Sequence, residues 1–208
     1  MKTINISCLV SFSIGIGIIT NAFAGGDPAI GKSKAIICIG CHGVDGNNDN
    51  PEYPVLAGQG EAYIIKQLTD FKTGARVEEH MSAMVEALSL SDIPHIASYF
   101  ALQKRKATQL TKAITDADKG KFIYHNGSPA KSVTACVACH ALDGSGNTAA
   151  RFPALNGQHA AYISKMLKEF RNNKRHNDPD KMMRNIAANL NDEEIEDIAA
   201  YISRLNQQ

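Results

Sequence analysis

The sequence predicts an all-α protein made of two tandem copies of one small helical domain. Three observations carry that expectation. The pentapeptide Cys38-Ile39-Gly40-Cys41-His42 returns as Cys136-Val137-Ala138-Cys139-His140. The residues that follow each pentapeptide repeat as well, with an offset that changes by only one residue over a long span. Between these landmarks the apolar residues recur at helical spacing, and no stretch alternates with the period of two that a strand requires.

Cys-x-x-Cys-His is the attachment signature of c-type haem. On a helical turn, positions i, i+3 and i+4 share a face, so two thiols can reach the haem vinyl groups while the adjacent imidazole points at the iron. Cys38 and Cys41, with His42 as iron ligand, and Cys136 and Cys139, with His140, therefore predict two covalently bound haem c groups. Two other chemistries fit a CxxC alone. Both pairs could join as one four-thiolate zinc centre, but each pair has its own histidine and its own copy of the flanking sequence, which a zinc ribbon does not require. A redox dithiol expects a βαβ context, and nothing here alternates strand and helix.

The chain begins with Lys2, an apolar run from Ile4 to Ile19, and Ala22-Phe23-Ala24. That is the pattern of a secretory signal peptide, residues 1–24, cleaved before Gly25. An uncleaved membrane anchor is the competing reading. Against it, the run is short, contains Ser11 and Ser13, and has no basic stop signal after it. Of five cysteines, Cys8 would leave with the signal and the other four all lie in the two haem motifs. An exported chain with every thiol committed to haem fits a bacterial periplasm. The 22 basic and 21 acidic residues nearly balance, and neither half has the basic stripe of a nucleic-acid binder. The first half is mildly acidic and the second mildly basic.

The repeat organises the remainder. Pro54-Val55-Leu56-Ala57-Gly58-Gln59 matches Pro153-Ala154-Leu155-Asn156-Gly157-Gln158, and Tyr63, Ile64, Lys66, Leu68 and Phe71 fall opposite Tyr162, Ile163, Lys165, Leu167 and Phe170. The first domain is assigned to residues 25–107 and the second to 108–208, with a polar linker from Gln103 to Gln109. Each copy is short for an apolar core alone, so the cofactor supplies part of it.

In chain order, the first copy opens with a helix from Ala29 to Cys41. A second spans Glu61 to Thr73, with Ile64, Ile65, Leu68 and Phe71 on one stripe and Gly74 as its stop. A closing helix runs from Asp92 to Leu102, with Ser91 as its cap because Pro94 is tolerable only in a first turn. The second copy opens at Asp116 to Tyr124 and then carries an insertion, His125 to Thr134. Its central helix spans Ala160 to Asn172. Its closing helix covers Asp192 to Leu205, with Asn191 and Glu194 as a capping box.

The sixth ligand separates an electron carrier from an enzyme. Candidates are His80, Met81 and Met84 in the first copy, and His176, Met182 and Met183 in the second. Counting back from Leu88 and Leu190 places Met81 opposite Met183, the one methionine pair that coincides. Met81 and Met183 are therefore the expected axial partners of His42 and His140, and Met84 and Met182 are expected to pack in the core. His80, His95, His125, His159 and His176 have no histidine partner in the repeat and are read as solvated or hydrogen-bonded. A thioether stabilises ferrous iron and raises the potential, and two filled axial positions leave no site for substrate.

The paired CxxCH motifs, the Pro-x-Leu-x-Gly-Gln segments, Met81 and Met183, and closing helices bearing Tyr99 and Tyr201 resemble the class I cytochromes c, specifically the tandem dihaem cytochromes c4. The resemblance covers essentially the whole chain. It implies two tandem class I cytochrome c domains that carry single electrons from respiratory donor complexes toward a terminal oxidase. It also implies roles for residues that support the haem ligands. Pro54 and Pro153 resemble the prolines whose carbonyl accepts the Nδ1 proton of the haem histidine. Gly31 and Gly120 resemble the small residues where the opening helix crosses the closing one, and Lys66 and Lys165 resemble residues that approach haem propionates.

The expected function is thus a periplasmic one-electron carrier and not an enzyme. Its expected partners are redox proteins, peripheral membrane association is compatible with this role, and the expected state is a monomer. The alternatives are a dihaem peroxidase-like enzyme, which needs a vacant sixth position that Met81 and Met183 would fill, and an oxidase-associated cytochrome subunit, which would retain its anchor.

Overall fold

The computed structural model describes residues 25–106 and 116–205. The expected signal peptide and the domain boundary near Thr108 lie outside the described residues. Among the described residues there is no strand, only two isolated bridges, Ser128 with Val133 and Asn147 with Phe152. No helix among them is long and apolar enough to cross a membrane.

The first copy contains α1 (Pro28–Lys34), α2 (Ile39–His42), α3 (Glu61–Thr73), α4 (Glu79–Glu86) and α5 (Asp92–Ala101). Asp27 caps α1 by accepting the N–H groups of Ala29 and Ile30, with Pro28 in the first turn. The expected continuous helix from Ala29 to Cys41 is instead broken. A 3₁₀ turn at Ala35–Ile37 tightens the chain and re-aims the following turn, α2, which carries the haem motif. α3 keeps its expected bounds and stops at Gly74, whose φ of 77° is the left-handed conformation that glycine adopts freely. At α5 the expected cap differs. Ser91 makes no capping bond; Ser89 and Asp92 do so reciprocally, with Asp92 N–H donating to Ser89 Oγ at 3.2 Å and Ser89 N–H to Asp92 Oδ2 at 3.3 Å.

The second copy contains α6 (Ala117–Asn126), α7 (Val137–His140), α8 (Ala160–Arg171), α9 (Met182–Ala187) and α10 (Asp192–Ile202). α6 runs two residues beyond the expected Tyr124, so the insertion starts inside a helix. The insertion then turns at Gly127 and through a 3₁₀ turn at Pro129–Lys131. The capping box of Asn191 with Glu194 forms at α10.

In each copy the opening helix crosses the closing one at a glycine. A Cβ on Gly31 would lie 1.9 Å from His95 O, and one on Gly120 would lie 2.0 Å from Asp197 O. The two cores are separate clusters. Ile64, Leu68, Phe71, Ile93, Ile96 and Phe100 anchor the first; Ile163, Leu167, Ile195, Ile198 and Ile202 anchor the second.

The copies meet through a near-symmetric exchange. Gln59 Nε2 donates to Ala154 O at 2.9 Å while its Oε1 accepts Ala154 N–H at 2.8 Å. Gln158 repeats this on Val55, at 3.1 Å and 2.9 Å. The expected polar linker is anchored where it is described: Arg105 donates to Ala57 O and to Asn156 O, both at 2.7 Å. Burial pulls its guanidinium down to about 10.

Candidate haem sites

In both copies the haem motif is a single helical turn that presents a buried imidazole. His42 and His140 are each buried, and each holds its Nδ1 2.9 Å from a prolyl carbonyl, Pro54 O and Pro153 O respectively. A carbonyl can only accept, so each bond makes Nδ1 the protonated nitrogen and leaves the Nε2 lone pair for a metal. Burial lowers the pKa of both imidazoles, and the carbonyl bond opposes that only in part. The neutral ring, the form a metal ligand needs, is therefore favoured.

Cys38 and Cys136 are partly buried against the first and second core cluster, and burial pushes both thiols up to about 11. Cys41 is exposed and Cys139 half-buried, and none of the four forms a disulfide. The four do not converge. Among the described residues no group of three or more His, Cys, Asp or Glu side chains comes together to hold a metal ion, so a joint four-thiolate zinc centre is not formed.

Met81, on α4, is packed against the same cluster as Cys38; Met183, on α9, is packed against the same cluster as Cys136. Each copy thus packs one thiol and one thioether against a single apolar core, and the same haem turn adds a second, outer thiol and a buried neutral imidazole with a free Nε2. That donor set fits haem c. Met84 and Met182, expected to pack, are instead 43% and 37% exposed. Both sit one helical step away from the face that meets the core. His80 is exposed beside Glu78, and His95 Nδ1 accepts the N–H of Asp27 at 2.7 Å. His159 is buried, with Nε2 3.0 Å from Asn48 O in the first copy.

Lys66 and Lys165 are engaged by protein groups. Lys66 pairs with Asp70 and donates to Asn177 O at 2.7 Å; Lys165 lies 3.9 Å from Glu78 and 4.0 Å from Glu169. Sequence reasoning passed over Arg76 and Arg175, both buried where the two copies meet. Each guanidinium stacks 4.5 Å above the ring of its own copy's phenylalanine, Phe71 or Phe170. Burial raises the Tyr63 phenol, but the Arg175 and Arg76 guanidiniums beside it outweigh burial and hold it below its ordinary value.

Comparison with known proteins agrees with this chemistry. The cytochrome c family model matches residues 117–206. The cytochrome c4 of Stutzerimonas stutzeri is 42% identical, over 95% of this chain and 98% of that protein. The cytochrome c4 of Pseudomonas aeruginosa is 41% identical over the same shares. The crystal structure of reduced recombinant cytochrome c4 from Pseudomonas stutzeri superposes with a TM-score of 0.81 at 41% identity, covering 86% of this chain and 98% of that one. The chain carries covalently bound haem c and transfers electrons rather than catalysing a reaction on a substrate. Helical copies with no strand among the described residues, a carbonyl-oriented imidazole in each and near full-length similarity all converge: the chain belongs to the cytochrome c4 family.

Proposed function

We propose that the protein holds two haems, one per domain, and relays single electrons in the periplasm between respiratory-chain donors and a terminal oxidase. Cys38 and Cys41 would anchor the first haem, with His42 and Met81 as its iron ligands; Cys136 and Cys139 would anchor the second, with His140 and Met183. When bound, haem iron supplies a reversible one-electron couple. The protein's part is to keep each imidazole neutral and aimed, to keep water from the apolar cores, and to supply a thioether that favours the reduced state. The observation that carries the reading is the repeated pairing of a carbonyl-fixed imidazole with a methionine on the same core.

The test is an optical and near-infrared spectrum of purified protein in both oxidation states, with a pyridine haemochrome count. Two haems per chain, low-spin bands and the weak sulfur-to-iron band of the oxidised form are expected. One haem, or a high-spin iron that readily takes cyanide, overturns the assignment. Export is tested by the mass of the mature chain, expected to begin at Gly25; a periplasmic or membrane form that keeps residues 1–24 favours the oxidase-associated subunit.

A further inference from the structure

We infer that the methionine-bearing segment of each domain is positioned by the central helix of the other domain, so that domain docking sets the axial ligation of both haems. The inference rests on Met81 and Met183 as ligands and adds what holds them.

In the first domain, Arg76 lies in the turn before α4, five residues ahead of Met81. Its Nη2 reaches Tyr162 Oη at 3.4 Å and Met166 Sδ at 3.3 Å, both on α8 of the second domain. Glu78 accepts the backbone N–H of Met81 at 2.9 Å, and its other carboxylate oxygen faces Lys165 of α8 at 3.9 Å. A path of direct contacts thus runs from α8 through Glu78 to the peptide of Met81.

The second domain shows the reciprocal arrangement with more contacts. Arg175 Nη2 donates to Tyr63 Oη at 3.0 Å and Gln67 Oε1 at 3.1 Å on α3 of the first domain. Asn177 is held by α3 three times: Lys66 Nζ donates to its carbonyl at 2.7 Å, and its Nδ2 donates to Gln67 Oε1 at 3.0 Å and Asp70 Oδ2 at 2.5 Å. The next residue, Asp178, accepts the backbone N–H of Arg184 at 3.0 Å and its Nε at 2.7 Å. Arg184 directly follows Met183. In both directions a cation of one domain's central helix fixes the start of the other domain's methionine segment, and an acidic residue there binds the peptide at or beside the methionine. Lys66 and Lys165 are positioning residues that act on the haem of the domain to which they do not belong.

The test is a potentiometric titration of the holoprotein with both midpoints resolved. Met81→His and Met183→His assign each midpoint to its domain and check the ligands. Lys66→Met, a first-domain substitution, is then expected to shift the second-domain midpoint and leave the first at its wild-type value. It is also expected to speed cyanide entry at the second haem about tenfold, the weight of one charge-assisted hydrogen bond. Lys66→Arg restores both. Lys165→Met is expected to act on the first haem, with a smaller shift because its contact is longer. If the histidine variants move one midpoint each while Lys66→Met moves only the first midpoint, or neither, the inference is refuted and the ligand assignment stands. If Met183→His leaves the sulfur-to-iron band at full strength, the ligand assignment fails and the inference falls with it.

Discussion

Gly120→Ala tests the helix crossing on which the second haem wrap depends. A Cβ at this position would lie 2.0 Å from Asp197 O, 2.4 Å from Asp197 C and 2.9 Å from Ile198 N. All three atoms are backbone of α10, so no rotamer change relieves the overlap. An ordinary C···O approach is about 3.3–3.6 Å, so α6 and α10 must separate by about 1 Å or more. Overpacking of this kind costs about 1–3 kcal/mol, and contact with rigid backbone puts it at the upper end. Alanine recovers about 1 kcal/mol of helix propensity, which leaves a net loss of about 2 kcal/mol. For a domain of ~100 residues that is a drop in melting temperature of about 8–16 °C. The assay is thermal unfolding of the holoprotein, followed in parallel by Soret absorbance and far-ultraviolet ellipticity. Gly40→Ala is the internal control. A Cβ there meets nothing within 4 Å, and the second copy already carries Ala138 at the matching position. If Gly120→Ala melts with the wild type, or Gly40→Ala melts as low as Gly120→Ala, the crossing argument is wrong.

Gln158→Leu removes the acceptor of Val55 N–H and the donor to Val55 O. Two buried backbone groups then lack partners at about 1–3 kcal/mol each, so a loss of about 2–6 kcal/mol is expected in guanidinium unfolding, with the transitions of the two domains drawn apart. Mild acid is expected to loosen the same contact. Burial lowers the His159 pKa against the opposing bond to Asn48 O and the nearby Asp49. The folded value therefore lies below the unfolded one of about 6.5, and this contribution to stability is present above pH ~6.5 and fades as pH falls through the folded value. Denaturation midpoints should decline on acidification from pH 7.5 to 5, and less so in His159→Gln. Stronger acid acts on the first domain at Asp92, whose carboxyl is held down to about 2 by Lys34 and Ser89. Its contribution is present above pH ~4 and lost as pH falls toward 2, so Asp92→Asn should flatten acid unfolding over that window.

What the sequence made legible was what is local to one copy: the haem turns, α3 with its glycine stop and the capping box at Asn191; the glycine crossings at Gly31 and Gly120 came only with the family resemblance. The turns, the stop and the cap follow from spacing and cap chemistry within a short stretch of chain. The contacts between copies were not legible, because they depend on how two folded units sit against each other, which no single periodicity encodes. Gln59 and Gln158 were visible as a repeated pair, yet their exchange with Ala154 and Val55 needed the docked geometry. Arg76 and Arg175 were missed although the register that pairs Tyr63 with Tyr162 and Phe71 with Phe170 continues to them unchanged. A buried, repeated arginine beyond the end of an amphipathic helix was the available signal. The short methionine helices α4 and α9 carry too few apolar positions to announce themselves. α9 is also entered through left-handed Asp180 and Lys181, a backbone path that residue type does not foretell.

The two copies also show which features of a haem wrap are fixed and which are exchangeable. The glycine register that pairs Gly31 with Gly120 places Ala35 opposite Tyr124, and both are fully buried. In the first copy Ala35 leaves room for Tyr99, whose hydroxyl donates to Val44 O at 2.7 Å. In the second copy Tyr124 fills that room and donates to Ala141 O at 2.6 Å, while Tyr201 lies 5.4 Å away ring to ring. A phenol therefore ties the backbone shortly after the haem histidine in each copy, two residues on at Val44 from the closing helix and one residue on at Ala141 from the opening helix. Burial raises the Tyr124 phenol, which keeps it the donor this bond requires. Tyr201, relieved of that role, needs another partner for its hydroxyl, and His125 Nε2 supplies it at 2.8 Å. What recurs is a phenol anchoring the segment after the haem histidine, not a residue or a fixed acceptor, and His125, where the insertion begins, is the side chain that partners the displaced Tyr201.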